Sequence, residues 1–335
     1  MDLLDSVSRG FGDLQQGLFE SLVQPLLFNA GMGNLLEDGY RATGWLLVGL
    51  VQIGILLTAF RALERWRPVE AVTDRRAVRV DIVYTLIHRL GLVRVLLFFG
   101  VDPLWDWAIG QARMAGLPSF SLERLWPGVT DLAWVSFILY LLLFDLVDYT
   151  LHRAQHGFRW WWQLHAVHHS QQQMTMWSDN RNHLLDDLIR DAVFVGVALG
   201  VGVAPTQFVA IVAITQLVES LSHANVRLSF GRIGQRLLVG PQYHRLHHRI
   251  GLGHESGGVG TLGGHNFAVL FPLWDIAFGS ARFDGRYEPT GIRDQLPEAG
   301  GRDYGRGFWA QQGLGLKRLL QQLPLPGRGG ERARA

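Results

Sequence analysis

Hydrophobic residues are grouped in long runs along this chain, and the first long run lies between positions 43 and 60. It reads TGWLLVGLVQIGILLTAF and contains no charged residue. Its length is close to the roughly 20 residues that an α-helix needs to cross a bilayer. Arginines crowd the stretch that follows, between positions 61 and 79. Because basic loops stay on the cytoplasmic side, the pattern predicts a membrane-spanning helix that ends in the cytoplasm.

Two more apolar stretches follow before the middle of the chain. Residues 80–105 are apolar but carry Asp81, His88, Arg89 and Arg94. They therefore predict a second span or a helix inside a bundle, where such groups face protein. Residues 106–130 carry glycine, proline and arginine and predict a connection outside the membrane. A third span is predicted to begin at Asp131 and to run through WVSFILYLLLF. It returns the chain to the cytoplasmic side.

The last apolar stretch begins at Ala192, is broken by Pro205 and ends at His223. Its first arm is short for a complete span, so it predicts a hairpin that enters the membrane and returns on the same side. Between positions 157 and 191 the chain is too polar to span a bilayer. The chain is therefore predicted to be all-α, an integral membrane helical bundle of about four to five membrane segments with a cytoplasmic helical cap.

Composition narrows the possible chemistry. Hydrophobic residues make up 48% of the chain and charged residues only 18%, which is typical of neither a soluble enzyme nor a disordered chain. The absence of cysteine excludes disulfides, thiolate-ligated haem and cysteine-ligated iron–sulfur clusters. Because the chain has no cysteine, any redox metal must be held by nitrogen and oxygen. A formal net charge of +2, without a basic block interleaved with aromatics, does not indicate a nucleic-acid partner.

Histidines are concentrated in one region, because 12 of the 13 lie between positions 152 and 265. They form one H-x-x-x-H motif at 152–156 and two H-x-x-H-H motifs at 165–169 and 244–248. Residues three or four apart share a helix face, so each motif directs several imidazoles to one place. Neutral imidazole is the commonest metal ligand, and so many clustered ring nitrogens would be costly to leave unpaired. The pattern predicts a metal site, whereas His88 stands alone and predicts a hydrogen-bonding residue in the bundle.

The supply of histidines exceeds what one metal needs. A mononuclear non-haem iron site uses two histidines and a carboxylate, and tetrahedral zinc takes four ligands. Three acids precede histidines on the same helix face: Asp145 and Asp148 precede His152, and Glu219 lies one turn before His223. A ligating histidine usually donates its second ring N–H to a carboxylate or carbonyl. We therefore predict two metals, with these three acids orienting the ligands.

The ordered series of motifs resembles the membrane-bound fatty acid hydroxylase and sterol desaturase superfamily. WWQLHAVHHS, PQYHRLHH and NFAVLFPLWDIAFGS also look like that family, and the resemblance covers roughly residues 130–285. His183 stands where members often have a histidine, although the Pro-x-Glu that commonly follows is absent; His254 and His265 are left open as ligands. The resemblance implies the following catalytic or metal-ligating residues: His152, His156, His165, His168, His169, His183, His223, His244, His247 and His248.

The same resemblance implies an activity. It predicts two iron ions, replaceable by zinc on purification, that use O₂ as cosubstrate to oxidise a C–H bond of a lipid such as a sterol or fatty acyl chain, with hydroxylation preferred over desaturation. No flavin, nicotinamide or haem motif is apparent, so electrons are predicted to come from a separate ferredoxin or cytochrome b5-type donor with its reductase. The predicted location is the bacterial inner membrane, with the histidine clusters and the C-terminus cytoplasmic.

The chain is predicted to divide into four parts. Residues 1–42 form an extension with an interfacial helix, 43–130 the first membrane helices, 131–287 the catalytic domain, and 288–335 a tail. The tail is predicted to contain an amphipathic helix on the membrane surface, followed by a disordered end. The residues predicted to face lipid are Trp309, Leu314, Leu319 and Leu320.

Two other functional classes fit parts of the pattern. One is a histidine-rich zinc-binding membrane hydrolase or metal carrier, although the common H-E-x-x-H motif is missing. The other is a membrane haem protein for electron transfer, which needs only one or two axial histidines per haem. The surplus of clustered histidines counts against the haem protein.

Overall fold

A computed structural model describes residues 3–93, 95, 100–117, 120–250 and 263–322 of the chain. Within these ranges the regular elements are helices, and β structure is limited to one isolated antiparallel bridge between Arg249 and Thr290. The prediction of an all-α fold is therefore confirmed. His254 and the tail beyond residue 322 lie outside the described residues.

The N-terminal part is a short helical layer followed by one long helix. Helix α1 spans Leu3–Leu18 and continues through a π-helical turn into α2, Gln24–Asn29. Helix α3 spans Leu36–Ile55, and a second π-helical turn joins it to α4, Arg61–Trp66. Together the residues from Gly33 to Trp66 form a helix long and apolar enough to cross a membrane. The predicted first span lies inside it.

The predicted second span is not one continuous helix. Helix α5 covers Arg75–Arg89, and Gly91 follows in the left-handed conformation, with φ of 80°. This conformation turns the chain at a position that suits glycine. Helix α6 then covers Asp102–Met114. Among the described residues, only two helices are long and apolar enough to span a bilayer, so the predicted number of four to five membrane segments stays a prediction.

The second candidate span carries the first histidine motif. Helix α7, Ala133–Gly157, begins with apolar turns and ends with His152 and His156. Apolar side chains such as Leu50 and Val51 on α3 and Ile138 on α7 are exposed, as expected of surfaces that face lipid rather than water. These two helices indicate that the protein is membrane-associated.

The predicted hairpin between positions 192 and 223 is present as two helices. Helix α9 covers Leu184–Val201 and α10 covers Pro205–His223. Gly202, with φ of 70°, ends α9 in the left-handed conformation, and Pro205 occupies the first turn of α10, where its missing N–H costs nothing. The hairpin brings His223 back to the end of the bundle where α7 ends, although its insertion into the membrane stays a prediction.

The remaining helices form a cap over that end of the bundle. Helix α8 spans Arg159–His169, α11 Gly231–Leu237, α12 Pro241–His247, α13 Leu273–Ala277 and α14 Phe308–Gln322.

The tail helix α14 packs on protein. Leu319 is buried against Leu151, Trp161 and Leu164, rather than facing lipid as predicted from its amphipathic pattern. Trp309 on the same helix is 79% exposed. An apolar stripe fits a protein surface as well as a membrane, so the pattern alone does not distinguish the two. Helix α14 therefore belongs to the cap.

Candidate metal centre

The three histidine motifs and His223 meet at the junction of the bundle and the cap. His152 and His156 occupy the last turns of α7, His165, His168 and His169 the end of α8, and His223 the last residue of α10. His244 and His247 lie on α12, and His248 follows that helix directly. All of these side chains are buried. The fold thus joins segments that are far apart in sequence.

Eight of these histidines form two groups of four. The first group is His152, His156, His169 and His247; the second is His168, His223, His244 and His248. In each group, one possible ligand atom from every residue lies within 4.8 Å of the others. Each group therefore has the composition of a four-nitrogen metal site.

The H-x-x-H-H spacing explains why there are two groups. Consecutive helical residues point about 100° apart, so the adjacent histidines 168 and 169 cannot easily ligate the same ion. His169 joins the first group and His168 the second, and the pair His247 and His248 divides in the same way. Each adjacent pair therefore serves two centres, which places those centres side by side.

The second group converges through the same ring atom. Nε2 of His223 lies 3.1 Å from Nε2 of His168 and 3.1 Å from Nε2 of His244, and Nε2 of His244 lies 3.0 Å from Nε2 of His248. For metal–nitrogen distances of about 2.1 Å, neighbouring ligand nitrogens are separated by about 3.0 Å at a right angle and about 3.4 Å in a tetrahedron. The observed distances fit ligands around one ion.

Backbone carbonyls fix the orientation of at least three rings. Nδ1 of His152 donates to the carbonyl of Phe267 at 2.7 Å, and Nδ1 of His247 donates to the carbonyl of His265, also at 2.7 Å. Nδ1 of His223 donates to the carbonyl of Glu219 at 2.8 Å. A neutral imidazole that donates through Nδ1 keeps a lone pair on Nε2. These contacts therefore leave Nε2 as the ligand atom.

The protonation state also suits metal binding. Burial lowers the pKa of His168, His244 and His247 well below the ordinary histidine value, and the charges that neighbouring histidines would carry lower it further. At neutral pH these rings are uncharged, which is the form that binds a metal. An all-imidazole donor set suits iron, zinc or copper, so the residues present fit two such ions.

His165 lies between the two groups without belonging to either. Its ring centroid is 5.2 Å from that of His152 and 5.3 Å from that of His168, one residue from each group. Nδ1 lies 3.2 Å from a carboxylate oxygen of Asp186, while Nε2 is buried without a hydrogen-bond partner among the described residues. His165 is thus positioned beside both centres.

His183 is not available as a ligand in this arrangement. Its Nε2 donates to the carbonyl of Gln312 at 2.8 Å, and its Nδ1 accepts from the backbone N–H of Leu185 at 3.1 Å. His183 therefore caps the N-terminus of α9 and ties it to α14. His265 contributes its backbone carbonyl to His247, and His88 pairs with Asp187 at 3.2 Å.

None of the three acids predicted to orient the ligands contacts a histidine through its carboxylate among the described residues. Asp145 accepts from the backbone N–H of Leu270 and from the indole of Trp274, both at 2.9 Å. Asp148 pairs with Arg190 at 2.6 Å, and Glu219 uses its backbone carbonyl. Spacing on one helix face put these acids near the histidines, but His152 turns toward a carbonyl on another segment and His223 toward the backbone carbonyl of Glu219 rather than its carboxylate.

The residues that hold the ligands include several that sequence reasoning missed. The carboxylate of Asp186 faces His165 and also accepts from Trp161 at 2.6 Å and Gln155 at 2.8 Å. Its only sequence signal is its place in the polar stretch after the second histidine motif.

Asn266 fixes the loop whose carbonyls orient His152 and His247. It has a positive φ of 59°, an uncommon conformation that asparagine tolerates better than most residues. Its side chain donates to the carbonyl of Tyr243 at 3.0 Å and accepts from the N–H of Arg282 at 2.6 Å. Asn266 therefore fixes the shape of the loop whose carbonyls contact His152 and His247 of the first group.

Comparisons with known proteins agree with the motifs. Residues 137–280 match the family described as Fatty acid hydroxylase, a range that contains both histidine groups. The chain is also 26% identical over 231 residues to a protein of Rhizobium tropici named ornithine lipid hydroxylase OlsE. That alignment covers 68% of this chain and 65% of the relative, just under two thirds of the relative's length. No solved structure matches the chain significantly.

Proposed function

Because this chain belongs to the fatty acid hydroxylase superfamily, we propose that it is a membrane-bound di-iron enzyme that uses O₂ to hydroxylate a C–H bond of a lipid. The observation that carries the proposal is the pair of four-histidine groups, which supplies two adjacent nitrogen sites. The name of the relative favours hydroxylation over desaturation.

The metals would supply the oxidising power to remove hydrogen from an unactivated C–H bond. In the balanced reaction, one atom of O₂ enters the lipid as a hydroxyl group and the other leaves as water, with two electrons and two protons taken up. The protein holds the ligands in a fixed arrangement, so little reorganisation is needed during the reaction.

The protein also keeps bulk water away from the centre. Trp162 is fully buried, with its ring centroid 5.2 Å from that of His156. Phe267 lies against the first group, with its ring centroid 5.3 Å from that of His156 and 5.6 Å from that of His247. A dry site limits side reactions of a strong oxidant.

We infer that the electrons come from a separate ferredoxin or cytochrome b5-type protein. The chain has no cysteine for an iron–sulfur cluster. An exposed arginine-rich surface follows α3 and could attract an acidic donor; its members are Arg61, Arg65, Arg67, Arg75, Arg76 and Arg79. The same arginines favour a cytoplasmic position for this surface, and with it for the cap. The corresponding location is a bacterial inner membrane.

The experiment that tests the function combines metal analysis with oxygen uptake. Detergent-solubilised protein is expected to bind about two irons per chain and to consume O₂ when a reductant and membrane lipids are supplied. Firmly bound zinc with no O₂ uptake under iron loading would instead favour the zinc hydrolase or carrier. A Soret band in the pure protein would favour a haem protein.

A further inference from the structure

Two short helices of the cap carry large apolar side chains on their outer surfaces. On α11, Ile233 and Leu237 are 76% and 65% exposed, and their spacing of four residues puts them on one face of the helix. On α13 and directly after it, Leu273, Ile276 and Phe278 are also exposed. We call these five side chains the cap apolar surface. Soluble proteins rarely expose a large apolar patch without a partner for it.

The two helices belong to one unit of the cap. The backbone N–H of Val239, which follows α11, donates to the carbonyl of Leu270, which precedes α13, at 2.9 Å. Val239 also packs in one buried cluster with Tyr149 of α7, and Trp274 of α13 packs against that cluster. The apolar side chains of α11 and α13 are therefore held on neighbouring parts of the cap, beside α7.

Polar contacts fix which face of α13 points outward. The indole of Trp274 donates to the carboxylate of Asp145 on α7 at 2.9 Å. Asp275 is fully buried and accepts from two backbone N–H groups of the loop before α13, at 3.0 and 2.8 Å. Because Trp274 and Asp275 face the protein, the apolar side chains on either side of them are directed away from it.

Helix α13 contacts α7 within the length of a membrane span. Asp145, which accepts from Trp274, lies about 18 Å along α7 from its first residue, Ala133, and Tyr149 lies about 24 Å from it. The ring of Tyr149 stacks on that of Phe278, with centroids 5.4 Å apart. The hydrocarbon core of a bilayer is about 30 Å thick, and α7 is a candidate span. The exposed face of α13 therefore lies beside a part of α7 that hydrocarbon would surround.

The charges on α11 also suit a membrane. Arg232 and Arg236 are exposed and lie four residues apart, next to the apolar face. Arginine at the edge of an apolar helix face can reach lipid phosphates while its apolar neighbours enter the hydrocarbon. A second copy of this chain packed on the same face by two-fold symmetry would instead bring arginines together. The surface therefore fits a bilayer better than a second copy.

We propose that the cap apolar surface inserts into the bilayer, so that α11 and α13 lie in the membrane interface. Helix α12, which carries His244 and His247, follows α11 closely, and the loop that orients His152 and His247 precedes α13. Insertion thus holds the metal centre at the boundary of the membrane. This contact goes beyond the proposed function, because it concerns bulk lipid and holds whatever reaction the metals catalyse.

Site-directed spin labelling tests this position, because the chain contains no cysteine and a single introduced cysteine takes the label. The labelled variants are Ile233→Cys, Leu237→Cys, Ile276→Cys and Phe278→Cys. Each is loaded with zinc, which does not relax the label as iron would, and is reconstituted into nanodiscs of phosphatidylcholine and phosphatidylglycerol. Power-saturation EPR then compares collisions with O₂, which concentrates in hydrocarbon, and with a water-soluble nickel chelate.

The ratio of O₂ collisions to nickel collisions is expected to be several-fold higher at all four positions than at a water-exposed control. Glu298→Cys is that control, because Glu298 lies in an exposed turn. Val51→Cys gives the ratio for lipid, because Val51 is exposed on the candidate span that contains α3. All of these side chains are exposed, so each variant is expected to retain the wild-type zinc content.

Ratios on α11 and α13 equal to that of Glu298→Cys would overturn the insertion. Low collision rates with both reagents would also overturn it, because they would show that protein covers the surface. Two positions on each helix keep the test intact if one variant fails to fold. Since no readout uses turnover, failure of the iron-loaded protein to oxidise any lipid would refute the proposed function alone.

Discussion

Removing one histidine from the second group should empty one metal site and leave the other occupied. His223→Ala takes away the nitrogen that lies 3.1 Å from Nε2 of both His168 and His244. The first group loses no member, because it is made of His152, His156, His169 and His247. The structure therefore predicts a loss confined to one of two adjacent sites.

The expected magnitude follows from simple binding. Loss of a group that only orients a ligand typically weakens metal binding about 10–100-fold, so loss of the ligand itself should weaken it at least about 100-fold. At a free metal concentration of about ten times Kd, each intact site is about 91% occupied and the damaged site about 9% occupied. The metal content should fall from about 1.8 to about 1.0 per chain.

The assay equilibrates protein with buffered free metal and measures metal and protein in the same sample by mass spectrometry. His156→Ala is the reciprocal variant, because it should empty the first site and spare the second. His88→Ala is the control, because His88 lies outside both groups and pairs with Asp187. Loss of both metals in every variant, or retention of both in His223→Ala, would refute the division into two groups.

Three further predictions concern the surroundings of the metals and the packing of the bundle. His165 is a predicted ligand that lies beside both groups, and Asp186 orients it. Asp186→Asn should therefore weaken metal binding about 10–100-fold, measured by competition with a chelator; unchanged affinity would show that the contact with His165 is incidental. The metal-free protein should lose thermal stability as the pH falls below about 6.5, because burial depresses the folded-state pKa of rings such as His168 and the unfolded chain then binds more protons. A melting temperature that stays constant between pH 7 and 5 would contradict this. Gly49→Ala should destabilise the protein by about 1–3 kcal/mol or more, because the new Cβ would lie 1.7 Å from the carbonyl oxygen of Arg89 where α3 crosses α5. Thermal denaturation measures this loss, and Gly54→Ala is the control because the space around Gly54 is open.

The sequence predicted the all-α class and several helix boundaries, because both depend on residues that are close together in the chain. The apolar runs gave α3 and α7, and Pro205 marked the start of α10. The second predicted span was interrupted because Gly91 turns the chain after α5. In α14, Leu319 packs on the cap, whereas Trp309 and Leu320 stay exposed, so the position of this helix on the membrane surface stays a prediction.

The candidate site was predictable as a set of histidines but not as an arrangement. Motif spacing placed the imidazoles on common helix faces, whereas the assignment of His168 and His169 to different groups depends on how four segments meet. The orienting partner of His152 is the carbonyl of Phe267, which lies 115 residues away in sequence. A backbone carbonyl carries no side-chain signal, so pattern analysis favoured the nearby acids instead.

The most direct test of the central claim is the fate of labelled oxygen. Iron-loaded protein supplied with ¹⁸O₂, a reductant and its lipid is expected to give a product that carries one ¹⁸O atom, and His247→Ala, which removes a member of the first group, is expected to give none. A product whose oxygen comes from water, or a labelled product formed equally by the His247→Ala variant, would contradict the assignment of the two histidine groups as the oxygen-activating centre.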